Sequence, residues 1–344
     1  MSDVYKPPFT MTDNITNLII EVGELTGRIT VNDELSINPK LRRENRIKTI
    51  HSSLAIEQNI MSLAQVSDVL DGKRVLAPPQ DIREVKNAYE AYEELQRMNL
   101  YSIKDLLKAH KFMMNGLIPE AGTFRSKGVG VYAGEQLIHA GTPAQYVPEL
   151  MRELFDWLKT SKLHPLVKSC IFHYEFEFIH PFMDGNGRVG RLWHSLILQK
   201  WKSFFAWLPV ETLIYENQTE YYRVLNQSNT NGESTAFVEF MLQMIRDALY
   251  EIIKGQEDKE ELSSNINDGI NGSINDGIKV MNKNIESKIL LLLQDNPYMT
   301  AENLADILRK SKRQVERKLS ALKAEGKLER IGANKNGYWN VIKK

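Results

Sequence analysis

Twelve consecutive residues, His180-Pro-Phe-Met-Asp-Gly-Asn-Gly-Arg-Val-Gly-Arg191, constrain this chain more than any other stretch. Upstream, Leu166–Ile179 repeats apolar side chains at helical spacing. Pro181 stops that helix, because the residue before a proline is pushed out of helical conformation, so His180 falls at a turn. Gly185 and Gly187 flank Asn186, and two such glycines let successive N–H groups converge on an anion. A helix beginning about Arg188 and running to Leu198 points its positive end at the same place. Arg188 and Arg191, three apart, share one helix face and can grip phosphate oxygens. Asp184 is a hard oxygen ligand, suited to a Mg²⁺ that bridges phosphates. A base, a metal carboxylate, an anion nest and two arginines suit transfer from a nucleotide.

Gly185-Asn-Gly-Arg-Val-Gly190 also fits the short dinucleotide fingerprint G-x-G-x-x-G. That fingerprint needs a buried strand before it and a βαβ unit around it. A helical, aromatic-rich segment broken by His-Pro stands there instead, which argues against it.

The chain has 344 residues, 42% of them hydrophobic, enough for a packed core in two domains or one large one. Basic and acidic residues balance at 44 each, but unevenly. Lys283–Lys344 holds 14 Lys or Arg against 7 Asp or Glu, so the remainder is acidic, and the two parts suit separate partners. Cys170, the single cysteine, has no partner for an intramolecular disulfide and reads as a small core residue. The first ten residues have no apolar signal core and no run of 18 apolar residues exists, so the expectation is a soluble, cytoplasmic protein with no membrane span.

Helical periodicity dominates the first 255 residues, over Asn14–Gly27, Ile82–Leu100, Ile103–Leu117, Val147–Leu158 and Leu166–Ile179. Between Arg125 and Pro143 the texture changes. Gly128–Gly134 and Gln136–His139 predict two short strands joined by a glycine-containing turn. From 256 to 283 the composition turns to Asn, Asp, Gly and Ser, and Ile266-Asn-Asp-Gly-Ile270 recurs as Ile274-Asn-Asp-Gly-Ile278. This reads as a flexible linker. Residues 284–344 predict three helices and a hairpin: Ile285–Leu293, a helix capped by Thr300, a helix Lys312–Glu325 capped by Ser311 and closed by Gly326, then strands about Lys327–Ile331 and Gly337–Ile342. In order and length that unit resembles a winged helix-turn-helix.

The twelve-residue segment resembles the signature of the Fic family, H-x-F-x-[DE]-G-N-G-R-x-x-R, at every fixed position. His173-Tyr-Glu-Phe-Glu-Phe-Ile179, Ala121-Gly-Thr-Phe-Arg125 and the intervening hairpin extend the likeness over roughly residues 10 to 250. The resemblance implies a mainly α fold: a helical domain with a β-hairpin flap, followed by the small winged helix-turn-helix domain. Its expected divisions are an N-terminal helical region 1–110, a catalytic core 111–255, the linker 256–283 and the winged domain 284–344.

It also implies a protein adenylyltransferase, moving AMP from ATP to a Tyr, Thr or Ser hydroxyl of a protein, itself or a partner, and releasing pyrophosphate. His180 is then the general base. Asp184 binds Mg²⁺. Gly185, Asn186, Gly187 and Arg188 hold the α- and β-phosphates, Arg191 holds the γ-phosphate, and Val189 and Gly190 complete the ATP-binding segment. Tyr221, Tyr222 and Asn229 match an adenine pocket, with core packing the competing role for the tyrosines. Gln136, Leu137, Ile138 and His139 lie along the flap, which is expected to hold the target by strand addition. Many relatives restrain themselves with [ST]-x-x-x-E-[GN]. Ser53-Leu-Ala-Ile-Glu57-Gln fits this within an inhibitory helix near 50–62, except that Gln58 replaces Gly or Asn. Glu57 is expected to pair with Arg191 and block the γ-phosphate. His173 reads as a packing residue, and His51, His110, His164 and His194 as structural or exposed, without functional partners.

Lys312, Arg313, Arg317, Lys318 and Lys335 make DNA a candidate partner of the C-terminal domain, against a merely solvated lysine-rich face. A homodimer is compatible with the sequence. Two other functions stay open: a DNA-binding regulator using the nucleotide site as a sensor, and a related enzyme moving another nucleotide or phosphate-bearing group. An intact His180 favours transfer, since a sensor needs no base.

Overall fold

In the computed structural model the described residues are 5–32, 38–133, 136–140, 142–267, 289–290, 293, 300–301, 304–305, 312–331 and 338–341. They fall into two units, divided between Gly255 and Gln256.

Two helices form the centre of the first unit. Helix α7 (Pro165–Ile179) starts on Pro165, with His164 Nδ1 accepting from the Leu166 N–H, and is buried nearly all round. Apolar residues on every face make that a central helix rather than an amphipathic one. It packs against α8 (Asn186–Trp201), the helix that follows the His-Pro turn. Around this pair lie α5 (Ile103–Met113), which meets α8, and α6 (Val147–Thr160), which meets α7. Cys170 is fully buried in α7, its thiol pushed up to about 12 by burial, which leaves it unreactive.

The remaining helices wrap this core. Helix α2 (Pro39–Ile56) begins at Asn38, whose side chain accepts from the Lys40 and Leu41 N–H groups. It packs on α9 (Val210–Glu216). Helix α3 (Leu63–Leu70) opens with a reciprocal capping box between Ser62 and Gln65. It leads to α4 (Pro79–Glu94), which packs on α5. Helices α1 (Asp13–Asn32), α10 (Gln218–Asn231) and α11 (Thr235–Asn267) complete the set. Tyr5 Oη donates to Glu175, and the Ser234 N–H donates to the Pro8 carbonyl, so the N-terminal segment is tied to α7 and to the start of α11. Ile47, Ile50 and Leu54 of α2 share one core with Phe172, Leu192 and Trp193. Residue 110 is therefore no boundary: residues 1–255 form one unit.

Strands β1 (Gly130–Ala133) and β2 (Gln136–Ala140) pair antiparallel, with Val131 opposite His139 and Tyr132 opposite Leu137. The register slips between Val131 and Tyr132, a bulge that leaves Ile138 without an opposite residue. The side chains of Gln136, Leu137, Ile138 and His139 lie outside what the structure describes.

Several helix bounds differ from expectation. Helix α4 stops at Glu94 and continues as a short 3₁₀ turn, Leu95–Arg97, rather than reaching Leu100. Helix α8 starts at Asn186, two residues early, because Gly185 takes a left-handed φ of 82° and turns the chain into the helix directly. Helix α11 runs through Asn267, so the first part of the expected linker is helical; Gln256-Glu-Asp-Lys-Glu-Glu-Leu262 is rich in helix formers, and the Asn/Gly/Ser texture comes later. Linker residues 268–283 lie outside the described residues.

In the second unit, helix α12 (Lys312–Ala324) buries Val315, Leu319 and Leu322 against Ile289, Leu293, Leu304 and Leu328. Gly326 has φ 66°, and β3 (Leu328–Ile331) pairs antiparallel with β4 (Tyr338–Val341). Lys312, Arg313 and Arg317 are exposed. Ser311, Lys335 and the turn between the strands lie outside the described residues. No helix among the described residues is long and apolar enough to cross a membrane.

Candidate active site

His180 caps α7 in a left-handed conformation, φ 52° and ψ 63°. A non-glycine residue there costs about 1–2 kcal/mol and needs holding. Its own N–H donates to the Phe176 carbonyl at 2.9 Å. Arg125, only 3% exposed, supplies the rest. Its Nε donates to the His180 carbonyl at 2.6 Å, its Nη2 to the Ile179 carbonyl at 3.3 Å, and its backbone N–H to the Pro181 carbonyl at 3.0 Å. The same guanidinium donates to the carbonyls of Lys127 and Thr142, on either side of the β1–β2 hairpin. One side chain thus fixes the turn at His180 and both roots of the hairpin.

The loop after His180 is closed from within. Asn186 Oδ1 accepts from the Phe182 N–H at 2.8 Å while its Nδ2 donates to the Phe182 carbonyl at 2.9 Å. From outside, His110 stacks on Phe182, centroids 3.6 Å apart and planes 3° from parallel. Its Nδ1 accepts from the Gly122 N–H at 2.8 Å, so Nε2 carries the proton and donates to the Asp184 carbonyl at 3.0 Å. Burial pushes its pKa down to about 4, which keeps the ring neutral. His110 was expected to have no functional partner; it holds the peptide of Asp184.

Both arginines meet acids. Arg188, nearly buried, donates through Nη2 to Asp184 Oδ1 at 3.0 Å and through Nη1 to Glu84 Oε1 at 3.3 Å. Glu84 in turn accepts from Asn59 Nδ2 at 2.8 Å. Arg191 is 1% exposed. Its Nη2 donates to the Ser53 carbonyl at 2.9 Å and to Glu57 Oε1 at 2.8 Å, and its Nε to Ser53 Oγ at 3.2 Å. Burial alone would lower its pKa; the Glu57 carboxylate outweighs that and holds it above the usual value.

Glu57 also lies over the start of α8. A Cβ on Gly187 would stand 2.3 Å from Glu57 Oε1, so with any other residue there the carboxylate would have to shift. The acid reaches this place through the end of α2. Gln58 N–H donates to the Ala55 carbonyl and Asn59 N–H to the Leu54 carbonyl, while Gln58 has φ 69°. That is a Schellman termination with Gln58 in the left-handed position, which glycine or asparagine fills at lower cost. Gln218 Nε2 of α10 donates to the Ile56 carbonyl at 2.9 Å and fastens the same end.

Helix α10 brings up the expected base pocket. Tyr221 is buried and its Oη is hydrogen-bonded to His173 Nε2 at 3.2 Å, a packing arrangement. Tyr222 beside it is exposed, the rings meeting edge to face at 5.2 Å. Asn229 Oδ1 is buried with no hydrogen-bond partner among the described residues. Val189 and Gly190 do not present to the anion end of α8. Val189 is fully buried, and its N–H is taken by the Gly185 carbonyl at 3.0 Å. Gly190 lies against Glu177, His173 and Phe176 of α7.

The site as a whole can receive an anion at the positive end of α8, with Arg191 beside it and His180 at the adjoining turn. Among the described residues no three His, Cys, Asp or Glu side chains form a metal-binding group. Asp184 does fit a Mg²⁺ that takes its other ligands from water and phosphate: its side chain is 55% exposed, and only Oδ1 is engaged, by Arg188 and the Gly185 N–H.

A profile of the Fic/DOC family matches residues 100–198. Protein adenylyltransferase fic-1 of Caenorhabditis elegans is 31% identical over 215 residues, 59% of this chain and 40% of that protein. Protein adenylyltransferase Fic of Nematostella vectensis is 29% identical over 211 residues, 58% of this chain and 47% of that protein. The chain thus spans less than half the length of these curated relatives. Among solved structures, a Fic family protein from Desulfovibrio desulfuricans G20 is 42% identical, with TM-score 0.72 over 99% of both chains. Fic-1 from C. elegans, residues 134–508, gives TM-score 0.60 at 26% identity, covering 71% of this chain and 73% of that one.

Proposed function

Because the chain belongs to the Fic family, we propose that it is a protein adenylyltransferase that restrains itself, moving AMP from ATP to a hydroxyl of a protein, itself or a partner. The observation that carries this reading is the seat of Glu57: a carboxylate bonded to buried Arg191 at 2.8 Å and crowding Gly187 at the positive end of α8. It occupies the place a phosphate of ATP needs, and its charge is the one a phosphate would bring.

In the productive state Glu57 withdraws and the γ-phosphate takes its place on Arg191. Arg188 and the N–H groups at Gly185–Gly187 hold the α- and β-phosphates. Asp184 would hold Mg²⁺, which neutralises phosphate charge when bound. His180 accepts the proton of the target hydroxyl, whose oxygen attacks the α-phosphorus in line as pyrophosphate leaves. The β1–β2 hairpin carries the target by strand addition, and its two roots are tied through Arg125 to the carbonyl of His180, so target and base share one support. Asn229 and Tyr222 face the base, Asn229 Oδ1 being an unused acceptor suited to the exocyclic amine of adenine. The C-terminal unit is a winged helix whose α12 brings Lys312, Arg313 and Arg317 to a DNA backbone.

The test is transfer of label from α-labelled ATP with Mg²⁺. Glu57→Gly should label itself or a lysate protein well above wild type. Equal, low labelling by both would sink the inhibitory reading.

A further inference from the structure

Glu177 is an ionisable group beside the site that this chemistry leaves unused. It lies on α7 one turn before His180, its side chain 9% exposed. Its Oε1 has no hydrogen-bond partner among the described residues. The carboxyl presses on α8 at Gly190, where an added Cβ would stand 2.7 Å from Oε1. The nearest cationic candidate, His173 Nε2, is 3.9 Å away and already bonded to Tyr221 Oη. The charges it feels are Arg191 of α8 and Glu57 at the end of α2. Tyr221 and Tyr222 of α10 feel Glu177 in turn. Burial first, then repulsion by Glu57, push Glu177 up to about 8 against the pull of Arg191. Around Arg191 the resting site therefore pairs the guanidinium with the Glu57 carboxylate, while burial favours the neutral form of Glu177.

A guanidinium as buried as Arg191 is strongly destabilised by losing the carboxylate it is paired with, which among the described residues is Glu57. When Glu57 leaves, two things change at Glu177. The repulsion that added to burial in keeping its proton on disappears, and the attraction of Arg191 is no longer shared. Both changes favour ionisation.

We propose that Glu177 is a positioning residue for Arg191: it becomes the counter-ion of the guanidinium when Glu57 withdraws, giving its proton to water, and takes a proton back when a phosphate settles on Arg191. This rests on the reading of Glu57 as the restraint. It keeps Arg191 oriented between inhibitor and substrate. It also makes phosphate a competitor of an ionised Glu177, so phosphate binding to the released enzyme takes up a proton.

The test uses full-length Glu57→Gly and Glu57→Gly/Glu177→Gln, titrated calorimetrically with the α,β-methylene analogue of ATP and Mg²⁺ from pH 6.5 to 8.5. Two buffers of different ionisation heat give the proton count. In Glu57→Gly, affinity should fall with rising pH, by up to about tenfold per unit, with a fractional proton taken up. In the double variant the share of the fall and of the uptake that Glu177 supplies should be lost, and binding at pH 8 should be tighter. Burial pushes His173 far down and Tyr221 well up, and Tyr222, whose ring is partly exposed, is also raised, by desolvation of its hydroxyl and by the nearby acids, so none of them titrates in this window. His180 and the phosphates are common to both variants and cancel in the difference. Glu177→Gln alone should melt with wild type at pH 6.5, because glutamine has the size and neutrality of the protonated acid. Should the glutamine variant not fold, Glu57→Gly/Glu177→Leu gives the same comparison. Coincident pH profiles and proton counts would overturn the proposal. If Glu57→Gly labels strongly while the profiles coincide, only the role of Glu177 fails. If it labels no more than wild type, the restraint itself fails.

Discussion

The turn at His180 and the turn at Glu57-Gln58 end two helices in the same way and are held very differently. Each places a non-glycine residue in the left-handed region, His180 at φ 52° and Gln58 at φ 69°. Around His180 nearly every polar group is committed: Arg125 takes three consecutive carbonyls, Asn186 closes the loop, and His110 holds Asp184. Around Glu57 the hold is one carboxylate on Arg191, helped by Ser53 and Gln218. The first arrangement over-determines its geometry. The second can be given up by breaking few contacts, and this is what a removable restraint requires.

The sharpest way to test that contrast is at the chemistry itself. His180→Ala in the Glu57→Gly background should lower transfer by about 10²–10⁴-fold while ATP still binds, as expected for loss of a general base. Transfer that survives at the parental rate would show that the well-held turn serves packing alone. Next comes the support. Arg125→Ala strands buried carbonyls at residues 179 and 180 and frees both roots of the hairpin. A loss of about 3 kcal/mol in urea unfolding is expected, at about 1–3 kcal/mol for each buried group left unpaired. A change below about 1 kcal/mol would mean the turn does not depend on its clamp.

His110 gives the comparison a pH axis. Its folded pKa of about 4 lies below the usual histidine value of 6.5, so the neutral ring is what the fold requires. Its contribution to stability is therefore full above pH 6.5 and is lost as the pH falls through 4. Between those limits wild type should lose about 2–3 kcal/mol more than His110→Asn, a side chain that cannot take up the proton. Urea unfolding of both proteins from pH 7 to 4 reads the difference directly. Parallel curves would place the acid sensitivity elsewhere, His194 being the next candidate.

What the sequence made legible follows the same division. The turn and helix start across residues 180–191 could be read because they rest on neighbours a few places away: a proline after a helix, two glycines about an asparagine, arginines three apart. The acid at Glu57 was legible through a short motif. The supports were not. His110 meets Asp184 across 74 positions, Arg125 meets His180 across 55 and Arg188 meets Glu84 across 104. Neither periodicity nor local spacing carries such pairs. Gly-Thr-Phe-Arg125 was visible as a string, but its task was not. Val189 and Gly190 err in the opposite sense. They lie inside a chemical string yet face the core, because in a helix only some positions of any run can face the anion.

On the less firmly held side, smaller effects are expected. Ser53→Ala removes the hydroxyl that accepts from Arg191 Nε but leaves the Ser53 carbonyl in place. One of three bonds to Arg191 is lost, about 1 kcal/mol, so basal labelling should rise roughly fivefold, well short of Glu57→Gly. A rise equal to that of Glu57→Gly would mean that Ser53, not the carboxylate, is the main fastening.

Gln58 tests the contrast from the other direction, by strengthening the restraint. Its Schellman position at φ 69° favours glycine, since the Cβ of any other residue is crowded there. Gln58→Gly should relieve about 1 kcal/mol of backbone strain, partly offset by the greater freedom glycine has in the unfolded chain. The gain falls on the end of α2, so the seat of Glu57 should become firmer. Thermal stability should rise slightly, and basal labelling should fall by a few-fold. The two readouts need not move together. A stabilised protein with unchanged labelling would show that Glu57 leaves by rotating its side chain over an intact helix end. Labelling that falls with stability would show that release requires the turn itself to unwind.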